Sequence, residues 1–236
     1  METFKLGKFR QFLITFLSFV ILGACFKVMV LVEGLTEVRP VNAIPVPAGL
    51  FFGTIAGLAC ALGNLFSDVF GTLTASSVLG FIGNFLAAYM PYKLWHLYSK
   101  ESPNIHGFRK LLLYLWVTFV SAAAVSWMIA TGIWLVFHSW VPNLAFIIFM
   151  NDFIFPILFG LPVFIVLTSD SVQIECAKRP KDLLPIGAKG RKMMTVIYAV
   201  LLTVLLVLTH LGGEGYVTIA TVLSIPAVVL TVCLML

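Results

Sequence analysis

The sequence predicts an all-α, polytopic membrane helical bundle, a six-helix core followed by a C-terminal transmembrane hairpin. Three observations carry this. Apolar residues make up 61% of the 236 and charged residues only 11%, with a mean hydropathy of +1.06; soluble domains run at about 45–50% and about 25%. Six apolar runs are long enough to cross about 30 Å of hydrocarbon at about 1.5 Å per residue. The basic residues gather in three clusters that can share one side of a membrane. This composition excludes a water-soluble fold, a disordered chain and a collagenous one. The net charge of +5 is no sign of nucleic-acid binding, because it sits in the loops between apolar runs. Cys25, Cys60, Cys176 and Cys233 form no C-x-x-C pair, so neither a zinc site nor a redox pair is expected.

The first run, residues 12–32, follows Lys5, Lys8 and Arg10. With the Gly23, Ala24, Cys25 stretch, this start also matches a lipoprotein signal. Residues 26–32 stay apolar and more spans follow, so an uncleaved first helix is the better account. Residues 40–70 come next, rich in glycine and holding Pro40, Pro45 and Pro47. One straight helix here would be roughly 45 Å long, too long for a single crossing; a break near Gly53 makes two short helices. Runs 76–95, 111–137 and 144–168 complete the core. Runs 193–211 and 216–236 form the hairpin, turning at 211–215.

Charge decides how residues 40–70 cross. Basic residues mark cytoplasmic loops. Besides the N-terminus, the middle loop carries Lys93, Lys100, Arg109 and Lys110, and the late loop Lys178, Arg179, Lys181, Lys189, Arg191 and Lys192. If all three clusters are cytoplasmic, successive clusters are separated by an even number of crossings. A single crossing at 40–70 gives three between the first two clusters, and a double crossing gives four. Residues 40–52 are therefore expected to run inward and 54–70 back out. The expected organisation is a core over 1–170, a basic cytoplasmic loop over 171–192 and a hairpin over 193–236, in a multi-pass plasma-membrane protein with a cytoplasmic N-terminus.

Polar groups inside hydrocarbon are costly and are functional candidates by default. In this topology they collect in the outer half of the bundle: Glu37, Arg39 and Asn42 in the first outer loop, Asn64 and Asp68 one turn apart on the third helix, Asn84 on the fourth, and Asn151 and Asp152 on the sixth. These eight are the candidate substrate-binding residues, suited to a pocket whose few polar groups orient a ligand between apolar walls. Each has a plainer role open to it. The asparagines can act as interhelical glue, Asp68 and Asp152 can pair with Arg39, and Glu33 and Glu37 can be solvated loop charges. Gly49, Gly53 and Gly57 repeat every four residues, as close helix packing requires. His96, His106, His138 and His210 are scattered, so no metal site is expected. The hydrolase, metalloprotease and phosphate-loop signatures are absent. No catalytic residue or cofactor is assigned, and the chain has no motif for hydrolysing ATP itself.

The stretch TEVRPVNAIPVPAGLFFG over residues 36–53, followed by Gly57, Asn64, Asp68, GFIGNF over 80–85, YMPYKLW over 89–95 and Asn151, Asp152, Pro156 and Gly160, resembles the substrate-binding (S) components of energy-coupling-factor transporters. The resemblance covers roughly residues 10–170. It implies an S-component-like six-helix core with both ends cytoplasmic. It also implies high-affinity binding of a vitamin-like small molecule for uptake, with a transmembrane coupling subunit, ATPase subunits and membrane lipid as partners and no nucleic acid. Three features depart from the family pattern: Gly53 is followed by Thr54 rather than proline, the first helix lacks the Ala-x-x-x-Ala docking face, and the C-terminal hairpin has no counterpart. Two other functions are open at this level. One is a membrane enzyme using Asp68 and Asp152 as acid and base on a lipid-linked substrate, and the other is a structural or assembly subunit.

The double crossing is testable by labelling. In a cysteine-free background, single cysteines at Thr72 and Ser102 should react with an impermeant reagent from opposite sides. Reaction of both from one side would rule out the double crossing.

Overall fold

In lipid every backbone amide needs an internal partner, and the computed structural model meets this with helices almost throughout. It describes residues 5–26, 30–32, 36–70, 73–172, 174–211 and 217–236, with backbone alone at 30–32, 36, 37, 211 and 217. The protein is an all-α polytopic membrane bundle. Helix α1 spans Lys8–Cys25, α2 Pro45–Phe52, α3 Thr54–Asp68, α4 Ser77–Tyr98, α5 Phe108–Phe137, α6 Leu144–Phe155, α7 Leu161–Leu167, α8 Ala188–Leu211 and α9 Val217–Met235. Among the described residues, five stretches are long and apolar enough to cross a membrane: α1, α5, the continuous Leu144–Leu167, α8 and α9. Large apolar side chains such as Leu17, Leu158, Val200 and Val228 are exposed around the outside, as a lipid-facing belt requires. One small departure from pure helix is an antiparallel pair of strands, β1 (Val30–Val32) and β2 (Thr36–Glu37).

The segment after β2 forms a 3-10 turn, Pro40–Ala43, and then α2. Pro45 and Pro47 occupy the first turn of α2, where an N–H has no helical partner to lose. Every residue from Pro45 to Phe51 is buried. At eight residues α2 rises only about 12 Å, so it cannot span alone and is housed inside the bundle. It stops at Gly53, which takes φ +58° and ψ −129°, a conformation open to glycine and strained for other residues. A side chain there would also meet the Tyr92 ring at 3.0 Å. Helix α3 then runs back. The guanidinium of Arg39, before α2, donates to Asn64 Oδ1 in α3 at 2.6 Å, so the two legs of the hairpin begin and end at the same level. At Gly49 a side chain would collide with the Ala88 carbonyl, and at Gly63 it would lie 2.9 Å from Phe19 Cβ; these glycines let α2 approach α4 and α3 approach α1.

The Gly53 turn lies at the end of the bundle that holds the basic loops. Tyr92 Oη donates to the Lys178 carbonyl at 2.6 Å, and His96 Nε2 lies 3.1 Å from that of Ala177. Lys5 pairs with Glu175 at 3.4 Å and Lys110 with Glu101 at 2.9 Å. The N-terminal, middle and late basic clusters thus share one end, called here the basic end. Helix α8 begins at Ala188, five residues before the apolar run, because Arg191 is turned inward. Its guanidinium donates to the Leu234 carbonyl at the end of α9 at 3.0 Å and pairs with Asp182. Lys93 reaches the same carboxylate at 3.5 Å and Arg179 at 3.6 Å. The α8–α9 hairpin is also fixed deep in the bundle, where Trp127 Nε1 donates to Ser224 Oγ at 2.7 Å.

Between α6 and α7 the helix widens into a π turn, Pro156–Gly160. Pro156 has no N–H to offer the helix, and the wider turn absorbs the mismatch. The Pro156 carbonyl accepts from Tyr114 Oη at 3.0 Å.

Asp182 joins two buried cations to a helix end, and its titration follows. Burial works to raise its pKa, but the Arg191 hydrogen bond and the charges of Arg191, Lys93 and Arg179 outweigh it and hold the carboxyl below its ordinary range. Its stabilising effect is therefore complete above about pH 4 and is lost as pH falls through the lower folded-state value. Asp182→Asn should lower the thermal midpoint at about pH 7, and its gap to wild type should be narrower at about pH 3. An equal gap at both would show that the charge network contributes nothing.

Candidate functional site

At the far end from the basic loops, each packed element presents one polar or apolar stripe to a common cavity. The 3-10 turn repeats every three residues, so Arg39 at its start and Asn42 lie on one side. On α3, Asn64 and Asp68 are four apart and share a face. On α4, Ser77, Gly80 and Asn84 stand at i, i+3 and i+7. On α6, Ile148, Asn151 and Asp152 stand at i, i+3 and i+4. Helix α5 closes the cavity with an aliphatic wall of Val125, Ile129 and Ile133, and Ser76 lies at the rim. The enclosed volume is about 50 Å³, room for about three or four water molecules.

A chain of hydrogen bonds runs through these groups. Asn64 is fully buried. Its Oδ1 accepts from the Arg39 guanidinium at 2.6 Å, and its Nδ2 donates to Asp68 Oδ2 at 3.2 Å. One amide thus relays a cation to a carboxylate. The Arg39 backbone N–H donates to Asn151 Oδ1 at 3.4 Å, and Asn42 Nδ2 donates to Asp152 Oδ1. Asn84 Nδ2 donates to the Gly80 carbonyl at 2.9 Å. Gly80 leaves room for the relay, since a side chain there would lie 2.8 Å from Asn64 Nδ2 and 4.0 Å from Asp68 Oδ2.

Of the eight residues singled out from the sequence, Arg39, Asn42, Asn64, Asp68, Asn84, Asn151 and Asp152 all line this one cavity. The Glu37 side chain and all of Glu33 lie outside the described residues. Trp140, Asn143 and His210 sit elsewhere, around a separate cavity of about 10 Å³. Sequence reasoning passed over Gly80 and gave Ser76 and Ser77 no part in the site. The signal was present as Ser77, Gly80 and Asn84 at helical spacing. Compared with protein-family models, curated proteins and solved structures, the chain matches none.

Glycine to alanine in a helix ordinarily stabilises by about 0.5–1 kcal/mol. At Gly80 the sign should reverse. The new methyl would displace the Asn64 amide and leave buried partners unsatisfied, at about 1–3 kcal/mol. Gly80→Ala should therefore lower the thermal midpoint in detergent, and a rise would show that the relay is not held tightly.

Proposed function

We propose that this chain is the membrane-embedded substrate-binding subunit of an uptake system for a vitamin-like small molecule, resembling the S components of energy-coupling-factor transporters. The supporting observation is the convergence on one cavity of seven amide or ionisable side chains from four separate elements. A fold does not need this many buried polar groups, whereas a ligand site uses a few to orient its solute. The chain has no phosphate-binding loop, so the proposal assigns energy coupling to separate ATPase subunits and a transmembrane coupling subunit. By the positive-inside rule, the shared basic end is assigned to the cytoplasm, with the N-terminus there and the cavity facing outward across the plasma membrane.

The cavity volume constrains how such a subunit would load. Pockets for drug-sized ligands run to about 300–1,000 Å³, well above the 50 Å³ enclosed here. Taking up a larger solute requires the segment bearing Arg39 and Asn42 to lift. That segment is tied down by hydrogen bonds to Asn64, Asn151 and Asp152, polar groups that a solute can replace one for one. In this reading the present geometry is the closed state of the site.

Mass spectrometry of the denatured, detergent-purified protein tests the proposal. A released vitamin-sized molecule is expected. A processed lipid would favour the membrane enzyme, and no small molecule at all would favour a structural subunit. Asp68→Ala and Asn151→Ala should each weaken binding of the released molecule by about 5- to 150-fold while the protein stays monodisperse. Ser99→Ala, at the basic end, should leave binding unchanged. Normal binding by both cavity variants would overturn the assignment of the site.

A further inference from the structure

We infer that the basic end carries a site for one anionic phospholipid, with the headgroup phosphate among Lys5, Lys8 and Lys178 and the glycerol and upper chain carbons against Phe51, Phe52 and Ile55. The site is separate from the solute cavity, so the inference goes beyond the uptake reading and does not depend on it.

At that end a cavity of about 330 Å³ lies between the start of α1, the Gly53 reversal and the late basic loop, with Lys5, Lys8, Phe51, Phe52, Ile55 and Lys178 in its lining. Its volume is inside the range of about 300–1,000 Å³ that houses a drug-sized ligand, enough for a phosphoglycerol head. Its two halves differ in chemistry. The three lysines are exposed, whereas Phe51 is buried and Phe52 and Ile55 are half-buried. Cations thus stand at the mouth and apolar carbon at the floor, the order of groups that a phospholipid presents from headgroup to chain.

Charge selects the headgroup. Besides the lysines, the charged residue among the described lining is Glu175, which pairs with Lys5 at 3.4 Å. Lys8 and Lys178 have no carboxylate partner among the described residues. Gathering like charges costs energy unless an anion joins them. The positive-inside rule places lysines in such loops, but it does not require residues this far apart in sequence to share one cavity. Nor does Lys178 hang free. Its carbonyl accepts from Tyr92 Oη at 2.6 Å, and the neighbouring Ala177 carbonyl lies 3.1 Å from His96 Nε2. Position then selects a lipid over a soluble anion. Lys8 is the first residue of α1, the least covered of the five apolar spans, with Phe9, Ile14 and Leu17 exposed. The bilayer therefore borders the cavity along this helix. Lysines at the end of a span lay their stems on apolar surface and hold their charge at headgroup level, where anionic lipids attract them.

The test titrates the full chain in a neutral detergent with phosphatidylglycerol, with phosphatidylcholine of the same chains, and with free glycerol phosphate, and reads the thermal midpoint. Phosphatidylglycerol should raise the midpoint, whereas the other two should not. The double variant Lys8→Gln, Lys178→Gln should weaken the phosphatidylglycerol effect by about tenfold in apparent affinity. The double variant Arg109→Gln, Lys189→Gln removes the same charge from the basic end outside this cavity and should leave the effect unchanged. A loss that is equal in the two double variants, as diffuse attraction would give, or absent from both, overturns the site. Protection by phosphatidylcholine or glycerol phosphate equal to that by phosphatidylglycerol, or by none of the three, overturns the inference in the wild-type protein alone, even if the variants fold poorly.

Discussion

Backbone N–H and C=O groups in an apolar bundle have no water to bind, and the short helix α2, which ends in a reversal at Gly53, must be covered by protein. The reversal at Gly53 imposes that constraint on the whole molecule. Helix α2 is buried from Pro45 to Phe51 because α4 crosses it at the Gly49–Ala88 contact, the Phe164 ring packs at a tilt on Phe51 with centroids 5.0 Å apart, and Gly160 fits beneath the Ala43 carbonyl. These close approaches set where α4 and the α6–α7 helix sit. Their positions in turn bring Asn84 and Asn151 opposite Asn64. The cavity is therefore a by-product of hiding the reversal.

The two ends of the bundle handle charge differently. At the basic end, Lys93 and Arg191 meet a carboxylate together with the C-terminal carbonyls of α9. Cations are at home there, since the helix dipole places partial negative charge at that terminus. At the far end asparagine amides stand among the partners of the charged groups. An amide donates and accepts with little charge of its own, so Asn64 can bridge Arg39 and Asp68. The basic end thus meets its cations with carboxylate and helix-end carbonyls, and the far end sets amides among its ionisable groups.

The sequence made the break at Gly53 legible because residues 40–70 are too long for one straight crossing, an argument that needs no side-chain detail. It also made Arg39, Asn42, Asn64, Asp68, Asn84, Asn151 and Asp152 legible as a group, since depth in a span follows from counting residues. The spacing of Ser77, Gly80 and Asn84 was readable as one helix face, but the clearance that Gly80 gives was not, because it depends on the distance to an asparagine sixteen positions earlier on another helix. The inward turn of Arg191 was hidden for a related reason. A basic residue beside an apolar run reads as a solvated loop charge, and only the folded chain brings Asp182 and the end of α9 to it. The short β1–β2 pair rests on backbone hydrogen bonds with no periodic pattern to announce it.

The π turn at Pro156–Gly160 separates two tasks that one straight helix would couple. A residue gained or lost in an α-helix rotates everything beyond it by about 100°. The widened turn sets such an offset between Asn151 and Asp152, which face the cavity, and Phe164, which packs against Phe51, Trp95 and Tyr114 at the other end. The angular phase of the polar face is thus adjustable independently of the aromatic anchor. A change confined to this turn would reorient the half of the helix that carries Asn151 and Asp152 while the half that carries Phe164 keeps its packing.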